Sequence, residues 1–314
     1  MNFKLFSIFI LSALAISAKA QSFKIVPLGV LGGEDESNLS SYMLAPAGSN
    51  NYVCLDAGTL YTGISKAIAN KVFAGTAEQV LRQKIKGYLI SHSHLDHLSG
   101  LVINSPADTN KTIYAFADCL KVFETHYFTP VSWSNFGDKG EAPVLKKYHY
   151  ETLEAGKETA IASTDMTVTP YPLSHSNLTS TAFLVRSGSA YVLYLGDTGP
   201  DAVEKSANLH NLWTAVAPLI KDKRLKAIMI ETSFPDEQPD KSLFGHFTPR
   251  WLMSEFDNLA QLTGGAASLK GFKVVITHLK PPVASVSKIK QQLKAENKLG
   301  LNLIFPEQGK TLTL

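Results

Sequence analysis

The sequence predicts a mixed α/β fold with two sheets covered by helices. Short apolar runs rich in β-branched residues recur along the chain and alternate with stretches at helical spacing. The early runs are joined by short turns and the later ones by helical stretches, so each sheet should be mixed rather than purely parallel. Residues 21–314 contain no internal repeat, charge block or low-complexity tract and are long enough for one large domain or two small ones, of which the single domain is predicted.

Eleven strands and six helices are predicted in this part of the chain. The strands are expected at residues 23–28, 39–44, 52–55, 87–90, 112–116, 166–171, 181–185, 190–195, 225–230, 272–277 and 301–304. The helices are expected at 63–72, 77–85, 118–128, 202–220, 248–262 and 283–295. Thr248 and Pro249 are typical of a helix start, as cap and first-turn proline. The least regular part, residues 125–157, is expected to be a lid or binding loop.

The first 20 residues predict a secretory signal peptide. Lys4 precedes an apolar segment that runs from Leu5 to Ala18, and Ala18-Lys19-Ala20 is a small-x-small cleavage pattern. The apolar segment is shorter than the ~20 residues that a membrane-spanning helix needs. We therefore expect a periplasmic or secreted chain that begins at Gln21 and has no membrane association after cleavage, which N-terminal sequencing would decide.

The charge of the chain argues against a nucleic-acid polymer as a partner. The 30 Lys and Arg residues include Lys4 and Lys19 of the predicted signal peptide, so about 28 remain against 27 Asp and Glu. Binding of a nucleic-acid polymer favours an extended basic surface, which a nearly neutral chain does not offer. Cys54 and Cys119 both lie in apolar stretches and are expected to be buried thiols rather than a disulfide, although export would permit one.

The most informative stretch is SHSHLDHLSGLVINSP, which begins at Ser91 directly after an apolar run. It places three of the nine histidines of the chain and one aspartate within six positions at a predicted strand end: His92, His94, Asp96 and His97. On a continuing strand the rings of His92 and His94 would face the same way. Imidazole and carboxylate groups are good ligands for a divalent ion such as zinc.

Three further potential ligands stand at the ends of other predicted strands, namely His175, Asp197 and His278. One such residue alone would more often be structural. Together with the cluster they make five histidines and two aspartates, enough for two adjacent metal ions with one bridging carboxylate. Zinc is favoured by the imidazole-rich set, with Mn²⁺ and Fe²⁺ as the alternatives.

These motifs resemble the metallo-β-lactamase superfamily and, within it, the class II 3′,5′-cyclic-nucleotide phosphodiesterases. The H-x-H-x-D-H cluster carries the first resemblance. The longer string HSHLDHLSGLVINSP carries the second, together with NLSSYML, LDAGT, GDTGPD, IETSFPD and LFGHFTP, which span nearly the whole mature chain. The resemblance implies an αβ/βα sandwich with a dinuclear metal site between the sheets.

The resemblance also implies how the ligands divide between the metals. One ion would be held by His92, His94 and His175, the other by Asp96, His97 and His278, and Asp197 would bridge both. Asp56, in LDAGT, matches a motif that supports the site from behind the ligands, and a strand-end turn residue is the competing interpretation.

The reaction that this implies is hydrolysis of a 3′,5′-cyclic nucleotide to a 5′-monophosphate, with cyclic AMP favoured on family analogy alone. A metal-bridged hydroxide would attack phosphorus, and the departing sugar oxygen would need a proton. His246, in FGHFTP, is expected to supply that proton, and the alternative is a helix-capping or phosphate-contacting role. Glu231 could orient His246 or a metal ligand.

The nucleotide base needs an apolar surface, which the irregular insert could provide. We expect Phe128 and Trp133 to contact the substrate, with Tyr127 and Phe136 as further candidates, although aromatic clusters more often form core.

Two other classes of function stay open at this point. The first is another hydrolase of the same fold acting on a thioester or a β-lactam, and the second is an exported metal- or nucleotide-binding protein without catalysis. The sequence does not predict the oligomeric state.

Overall fold

Two seven-stranded sheets lie face to face in the computed structural model, which describes residues 22–314. The predicted signal peptide lies outside the described residues. The strands are β1 Phe23–Gly29, β2 Ser41–Pro46, β3 Tyr52–Ala57, β4 Ile85–Leu89, β5 Lys111–Ala115, β6 Tyr148–Thr152, β7 Thr159–Ala160, β8 Thr167–His175, β9 Leu178–Ser187, β10 Ala190–Leu195, β11 Leu225–Glu231, β12 Lys273–Thr277, β13 Asn302–Ile304 and β14 Leu312–Thr313.

Eight α-helices are found in the described part of the chain. They are α1 Tyr61–Ala69, α2 Ala77–Lys84, α3 Leu95–Asn104, α4 Ala117–Val122, α5 Asp201–Glu204, α6 Asn208–Lys221, α7 Pro249–Thr263 and α8 Val283–Glu296. A turn of π-helix at Phe123–Tyr127 continues α4. Among residues 22–314, no helix combines the length and the apolar character needed to cross a bilayer.

Both sheets are mixed, as predicted. The first has the order β14-β1-β2-β3-β4-β5-β6, antiparallel from β14 to β3 and parallel from β3 to β6. The second has the order β13-β12-β11-β10-β9-β8-β7, parallel from β13 to β10 and antiparallel from β10 to β7. Parallel strands need crossover connections, which explains why helices follow β3, β4 and β5 in one half and β10, β11 and β12 in the other.

Three apolar layers hold the sandwich together. Side chains of the two sheets meet in a central layer that contains Phe23, Tyr42, Phe183 and Tyr194, all almost fully buried. A second layer lies between the first sheet and α1 to α4, and a third lies between the second sheet and α6 to α8. The prediction of two mixed sheets flanked by helices is therefore confirmed.

The structure differs from the prediction in three longer elements, and the two-residue strands β7 and β14 were not predicted either. Helix α3 was not predicted, because its first turn is occupied by the polar metal-ligand cluster and Gly100 lowers its helix propensity. Strand β6 lies inside the segment predicted to be irregular, and its alternation of buried Tyr148, exposed His149 and buried Tyr150 is the signal that could have revealed it. The helix predicted at 202–220 is two helices, separated at Lys205, which adopts a left-handed conformation with φ 54°.

Both cysteines are buried free thiols, as expected from their apolar surroundings. Cys54 and Cys119 lie in the layer between the first sheet and its helices, and burial raises the pKa of each thiol well above its usual range. The neutral thiol is therefore the stable form at both positions.

A buried ionic cluster joins the parallel strands β4, β5 and β6. The Asp108 carboxylate accepts hydrogen bonds from the hydroxyl groups of Tyr88 on β4, at 2.7 Å, and Tyr148 on β6, at 2.9 Å. It also pairs with Lys111 on β5, whose ammonium donates to the Leu81 carbonyl at 2.7 Å. One carboxylate thus ties three neighbouring strands together.

Replacing Asp108 by Ala should lower the free energy of unfolding by about 3–5 kcal/mol, because it leaves the Lys111 ammonium buried without its partner. Chemical denaturation at matched metal content measures this loss. Glu78→Ala is the matched control, since it removes the half-exposed Glu78–Arg82 pair at 2.9 Å and should cost less than about 1 kcal/mol. Equal losses in the two variants would contradict the structural role of Asp108.

Candidate metal centre and active site

All seven predicted ligands converge at one edge of the sandwich, where strands of both sheets end. His92 and His94 follow β4, and Asp96 and His97 lie in the first turn of α3. From the second sheet, His175 ends β8, Asp197 follows β10 and His278 follows β12. Ligands that are up to 186 positions apart in sequence therefore meet because both sheets end at the same edge.

The first group of ligands is His92, His94 and His175. His94 Nδ1 lies 3.1 Å from His92 Nε2 and 3.3 Å from His175 Nε2. The expectation that a continuing strand aims the rings of His92 and His94 is wrong, because β4 ends at Leu89 and His94 directly precedes α3. The turn from strand to helix brings the two rings together instead.

The second group is Asp96, His97, Asp197 and His278, whose ligand atoms all lie within 4.8 Å of one another. His278 Nε2 is 3.1 Å from Asp96 Oδ2. The backbone N–H of Gly33 donates to the same Asp96 oxygen at 2.8 Å, which fixes its orientation.

Asp197 stands between the two groups. Its Oδ2 atom is 3.2 Å from Nε2 of both His97 and His278. The same atom is 3.9 Å from His92 Nε2 and 4.0 Å from His175 Nε2. One buried carboxylate oxygen therefore faces imidazole nitrogens of both groups, which is the arrangement that a bridging ligand requires.

The donor set fits divalent metal ions. His97 is fully buried, and its Nε2 atom makes no well-aligned hydrogen bond among the described residues, although Asp197 Oδ2 lies 3.2 Å away. Burial lowers the pKa of His97, but the Asp197, Asp56 and Asp96 carboxylates outweigh burial and shift the pKa upward. Burial and the neighbouring His97 lower the pKa of His92, so its imidazole is neutral and its lone pair is free. A cation is thus the missing partner of these groups.

Asp56 supports the centre from behind the ligands. Its carboxylate accepts hydrogen bonds from His97 Nδ1 at 2.7 Å, from the backbone N–H and the hydroxyl of Ser91 at 2.7 and 2.8 Å, and from the Tyr194 hydroxyl at 2.5 Å. Since Nδ1–H is donated to Asp56, His97 presents Nε2 as the ligand atom. The competing interpretation, a turn residue, explains its φ of 54° but not these four contacts.

Other ligands are oriented in the same way by neighbouring groups. His175 Nδ1 donates to the Gly245 carbonyl at 2.8 Å, and His278 Nδ1 lies 2.9 Å from the Ser233 hydroxyl. Only glycine fits at position 245, because a Cβ there would lie 2.6 Å from His175 Nδ1 and the backbone has φ 77°. These contacts direct Nε2 of both rings into the centre.

His246 belongs to a chain of polar groups that enters the centre from one side. Its Nδ1 atom is 2.7 Å from Glu231 Oε1, and its Nε2 atom is 2.9 Å from Lys280 Nζ. Burial and the Asp197 charge raise the pKa of Glu231 to about 7. Burial lowers the pKa of His246 to about 4, despite the opposing effect of Asp197. The ring is thus held by a carboxyl group on one side and an ammonium on the other.

A cavity of about 540 Å³ opens onto these groups. Predicted residues on its wall are His94, Asp96, His175, Asp197 and His246. The sequence analysis did not predict the other residues of the wall, which are Gly33, Glu34, Glu36, Leu39, Leu95, Phe244 and Lys280. Leu95, Phe244 and Lys280 stand within two positions of a predicted site residue, and this proximity is the signal that could have found them.

The aromatic residues predicted to contact substrate do not line this cavity. Phe128 is fully buried and packs against Phe136 and Tyr148, so the expectation for Phe128 is wrong: its ring belongs to the core beneath the first sheet. Trp133 is partly exposed, and its Nε1–H donates to the Ser105 hydroxyl at the far end of α3. Tyr127 lies nearest the site, because its hydroxyl donates to the Ser93 carbonyl at 2.8 Å.

Comparison with proteins of known structure identifies the fold. The chain superimposes on the crystal structure of unliganded yeast PDE1 with a TM-score of 0.83 at 24% sequence identity, covering 94% of this chain and all of that one. It also matches the metallo-β-lactamase fold protein YhfI from Bacillus subtilis, with a TM-score of 0.61 at 16% identity, over 93% of this chain and all of that one. The fold is therefore the metallo-β-lactamase sandwich that the sequence motifs implied.

Comparison of sequences identifies the family. The chain is 42% identical over 317 aligned positions to a 3′,5′-cyclic-nucleotide phosphodiesterase of Aliivibrio fischeri, covering 96% of each protein. The family model of the class-II cAMP phosphodiesterases matches residues 22–309, which is nearly all of the described chain. The chain therefore belongs to the class-II cAMP phosphodiesterase family.

Proposed function

We propose that this protein hydrolyses 3′,5′-cyclic nucleotides to 5′-nucleoside monophosphates, with cyclic AMP as the favoured substrate. The observation that carries the proposal is the convergence of five histidines and two aspartates on a cavity, with Asp197 placed between the two ligand groups at 3.2–4.0 Å from four imidazoles. The family relationship supports the phosphodiester class, and the preference for cyclic AMP rests on that relationship alone.

The residues of the chain would prepare the centre for this reaction. One ion would be held by His92, His94 and His175, and the other by Asp96, His97 and His278. Asp197 would contact both ions. When bound, two divalent ions of this kind, with zinc favoured, supply Lewis-acid activation of the phosphoryl group and of attacking water. Asp56, Ser233 and the Gly245 carbonyl keep the imidazoles in the orientation that this requires.

Proton delivery to the departing sugar oxygen is assigned to His246 and the groups linked to it. With Nδ1–H donated to Glu231, His246 Nε2 accepts a hydrogen bond from Lys280 Nζ. Within this chain of groups, Lys280 is the cation, and its side chain lines the cavity. We therefore propose that a proton passes from the Lys280 ammonium to His246 Nε2 and from there to the departing oxygen, that solvent reprotonates Lys280, and that Glu231 keeps the ring in place.

Two observations favour a phosphodiester over the alternative substrates. The bridging position of Asp197 counts against a β-lactam, because the β-lactamases of this fold lack that carboxylate. The pair of His246 and Lys280 beside the ligands supplies a proton donor, which an alkoxide leaving group needs more than a thiolate does. A purely binding function would leave this pair without a role.

A panel of substrates offered to the metal-loaded protein tests the proposal. Cyclic AMP should be hydrolysed to 5′-AMP with the highest kcat/KM, followed by cyclic GMP and a linear phosphodiester, while a thioester and a β-lactam should not be turned over. Chromatography of the products measures each reaction, and Asp197→Ala is the control for contaminating enzymes. Hydrolysis of the thioester alone, or of no compound, would refute the proposal.

The two-ion arrangement predicts a graded loss of metal. The wild type should bind about two ions per chain, since its ligands form two groups joined by one carboxylate. Asp197→Ala should lose more metal than His278→Ala, because Asp197 would contact both ions and His278 only one. Elemental analysis measures the content, with the largely exposed His149 replaced by Ala as a control that keeps both ions. Equal losses from Asp197→Ala and His278→Ala would argue against the bridge.

The role of His246 predicts a loss of activity that is confined to substrates with poor leaving groups. His246→Ala should lower kcat for cyclic AMP by about 10²–10⁴-fold, which is the usual worth of general acid catalysis. Both metals should stay bound and KM should change little. A linear p-nitrophenyl phosphodiester needs almost no protonation of its leaving group, so its hydrolysis should be largely retained.

Lys280→Met is the companion variant, because it removes the ammonium but keeps the length of the side chain. It should reproduce the selective loss on cyclic AMP if Lys280 acts through the same proton path. Equal damage to cyclic AMP and to the p-nitrophenyl substrate in both variants would mean that the pair acts on the phosphate or on the geometry of the site. Export to the periplasm or medium stays a separate proposal, based on the N-terminal 20 residues.

A further inference from the structure

We propose that Phe244, with Leu95, forms the surface on which the purine base of the substrate stacks. This inference rests on the proposed function and specifies its substrate class. Among the described residues that line the metal-site cavity, these two are the large apolar side chains that are mostly exposed, Phe244 by 67% and Leu95 by 60%. Exposed apolar side chains on the wall of a cavity are the surface that the apolar part of a ligand covers.

The backbone at Phe244 gives an independent reason. Phe244 has φ 51°, a left-handed conformation that aromatic residues rarely adopt, and the glycine that follows has φ 77°. No described contact of the ring explains why a bulky residue is kept there, since most of its surface is open. Strain of this kind at a cavity wall is typical of residues that serve a ligand.

Both side chains lie beside the same ligand group. Leu95 is placed between His94 and Asp96 in the sequence, and the next residue after Phe244 is Gly245, whose carbonyl accepts the Nδ1–H of His175. His94 and His175 are 3.3 Å apart. The apolar pair therefore flanks the His94–His175 end of the centre.

The cavity wall combines these apolar side chains with charged groups, of which Lys280 is the cation. Lys280 follows His278 by two positions and contacts His246 at 2.9 Å. A cyclic nucleotide has the same combination, with an anionic phosphate at one end and a flat aromatic base at the other. In the proposed pose the phosphate lies over Asp197 and the base against Phe244 and Leu95, all three of which line the cavity of about 540 Å³.

The test compares three replacements of Phe244 in the metal-loaded protein. Phe244→Ala should weaken binding of 5′-AMP, measured by calorimetry, and raise KM for cyclic AMP by roughly 5- to 150-fold, the range expected for one stacked base. Phe244→Tyr keeps an aromatic face and should bind within a few-fold of the wild type. Phe244→Gly should also weaken binding, but it should keep or raise the melting temperature, because glycine tolerates the left-handed backbone.

Tyr61→Ala is the matched control, since Tyr61 is an aromatic residue of similar exposure, 56%, outside the cavity lining. Ethyl p-nitrophenyl phosphate, which has no base, serves as the comparison substrate. The ratio of kcat/KM for cyclic AMP to that for this ester should fall in Phe244→Ala and Phe244→Gly but not in Tyr61→Ala.

Unchanged 5′-AMP affinity in Phe244→Ala would overturn the inference. It would also be overturned if all three replacements of Phe244 weakened binding and at the same time lost metal or lowered the melting temperature. Weaker binding of 5′-AMP in Trp133→Ala, together with unchanged binding in Phe244→Ala, would place the base against the insert and would also overturn the inference. Failure of the wild type to hydrolyse any cyclic nucleotide would instead refute the proposed function, which separates the two outcomes.

Discussion

The buried Asp56 carboxylate is the interaction on which the candidate active site depends. It accepts four hydrogen bonds from groups on three different elements: Ser91 after β4, His97 on α3 and Tyr194 on β10. Asp56 lies on β3 of the first sheet and Tyr194 on β10 of the second, so a single side chain ties the two sheets together at the edge where they end. Without the Asp56 carboxylate, His97 would lose the contact that turns its Nε2 toward the centre. Ser91 would lose the contact that holds the loop before His92.

The charges around the centre explain why metal ions belong there. Asp56, Asp96, Asp197 and Glu231 bring four carboxyl groups close together, three of them fully or almost fully buried, whereas Lys280 is the cation on the cavity wall. Burying carboxylates without positive partners is costly. Two divalent ions would compensate this charge, and the upward-shifted pKa of His97, against the effect of burial, reflects the same demand for positive charge. Folding of this edge and metal binding should therefore be coupled.

Much of this arrangement could be predicted from the sequence, because ligands at strand ends leave a visible pattern. The HSHLDH cluster, the strand-end positions of His175, Asp197 and His278, and the FGHFTP motif led to residues that the structure brings to one cavity. Helix α3 and strand β6 were missed because metal ligands and a predicted loop obscured their periodicity. The base-contacting residues were misjudged for a different reason. Whether an aromatic ring such as Phe128 faces a core or a cavity is decided by tertiary packing, while the exposure of Phe244 results from a backbone conformation that no local pattern indicates.

The most direct measurement is anomalous diffraction from crystals of the metal-loaded protein, since it locates each ion relative to its ligands. Two peaks about 3.5–4 Å apart are predicted. One should lie among His92, His94 and His175, the other among Asp96, His97 and His278, with Asp197 in contact with both. A single peak, or a second peak away from these residues, would contradict the two-ion centre.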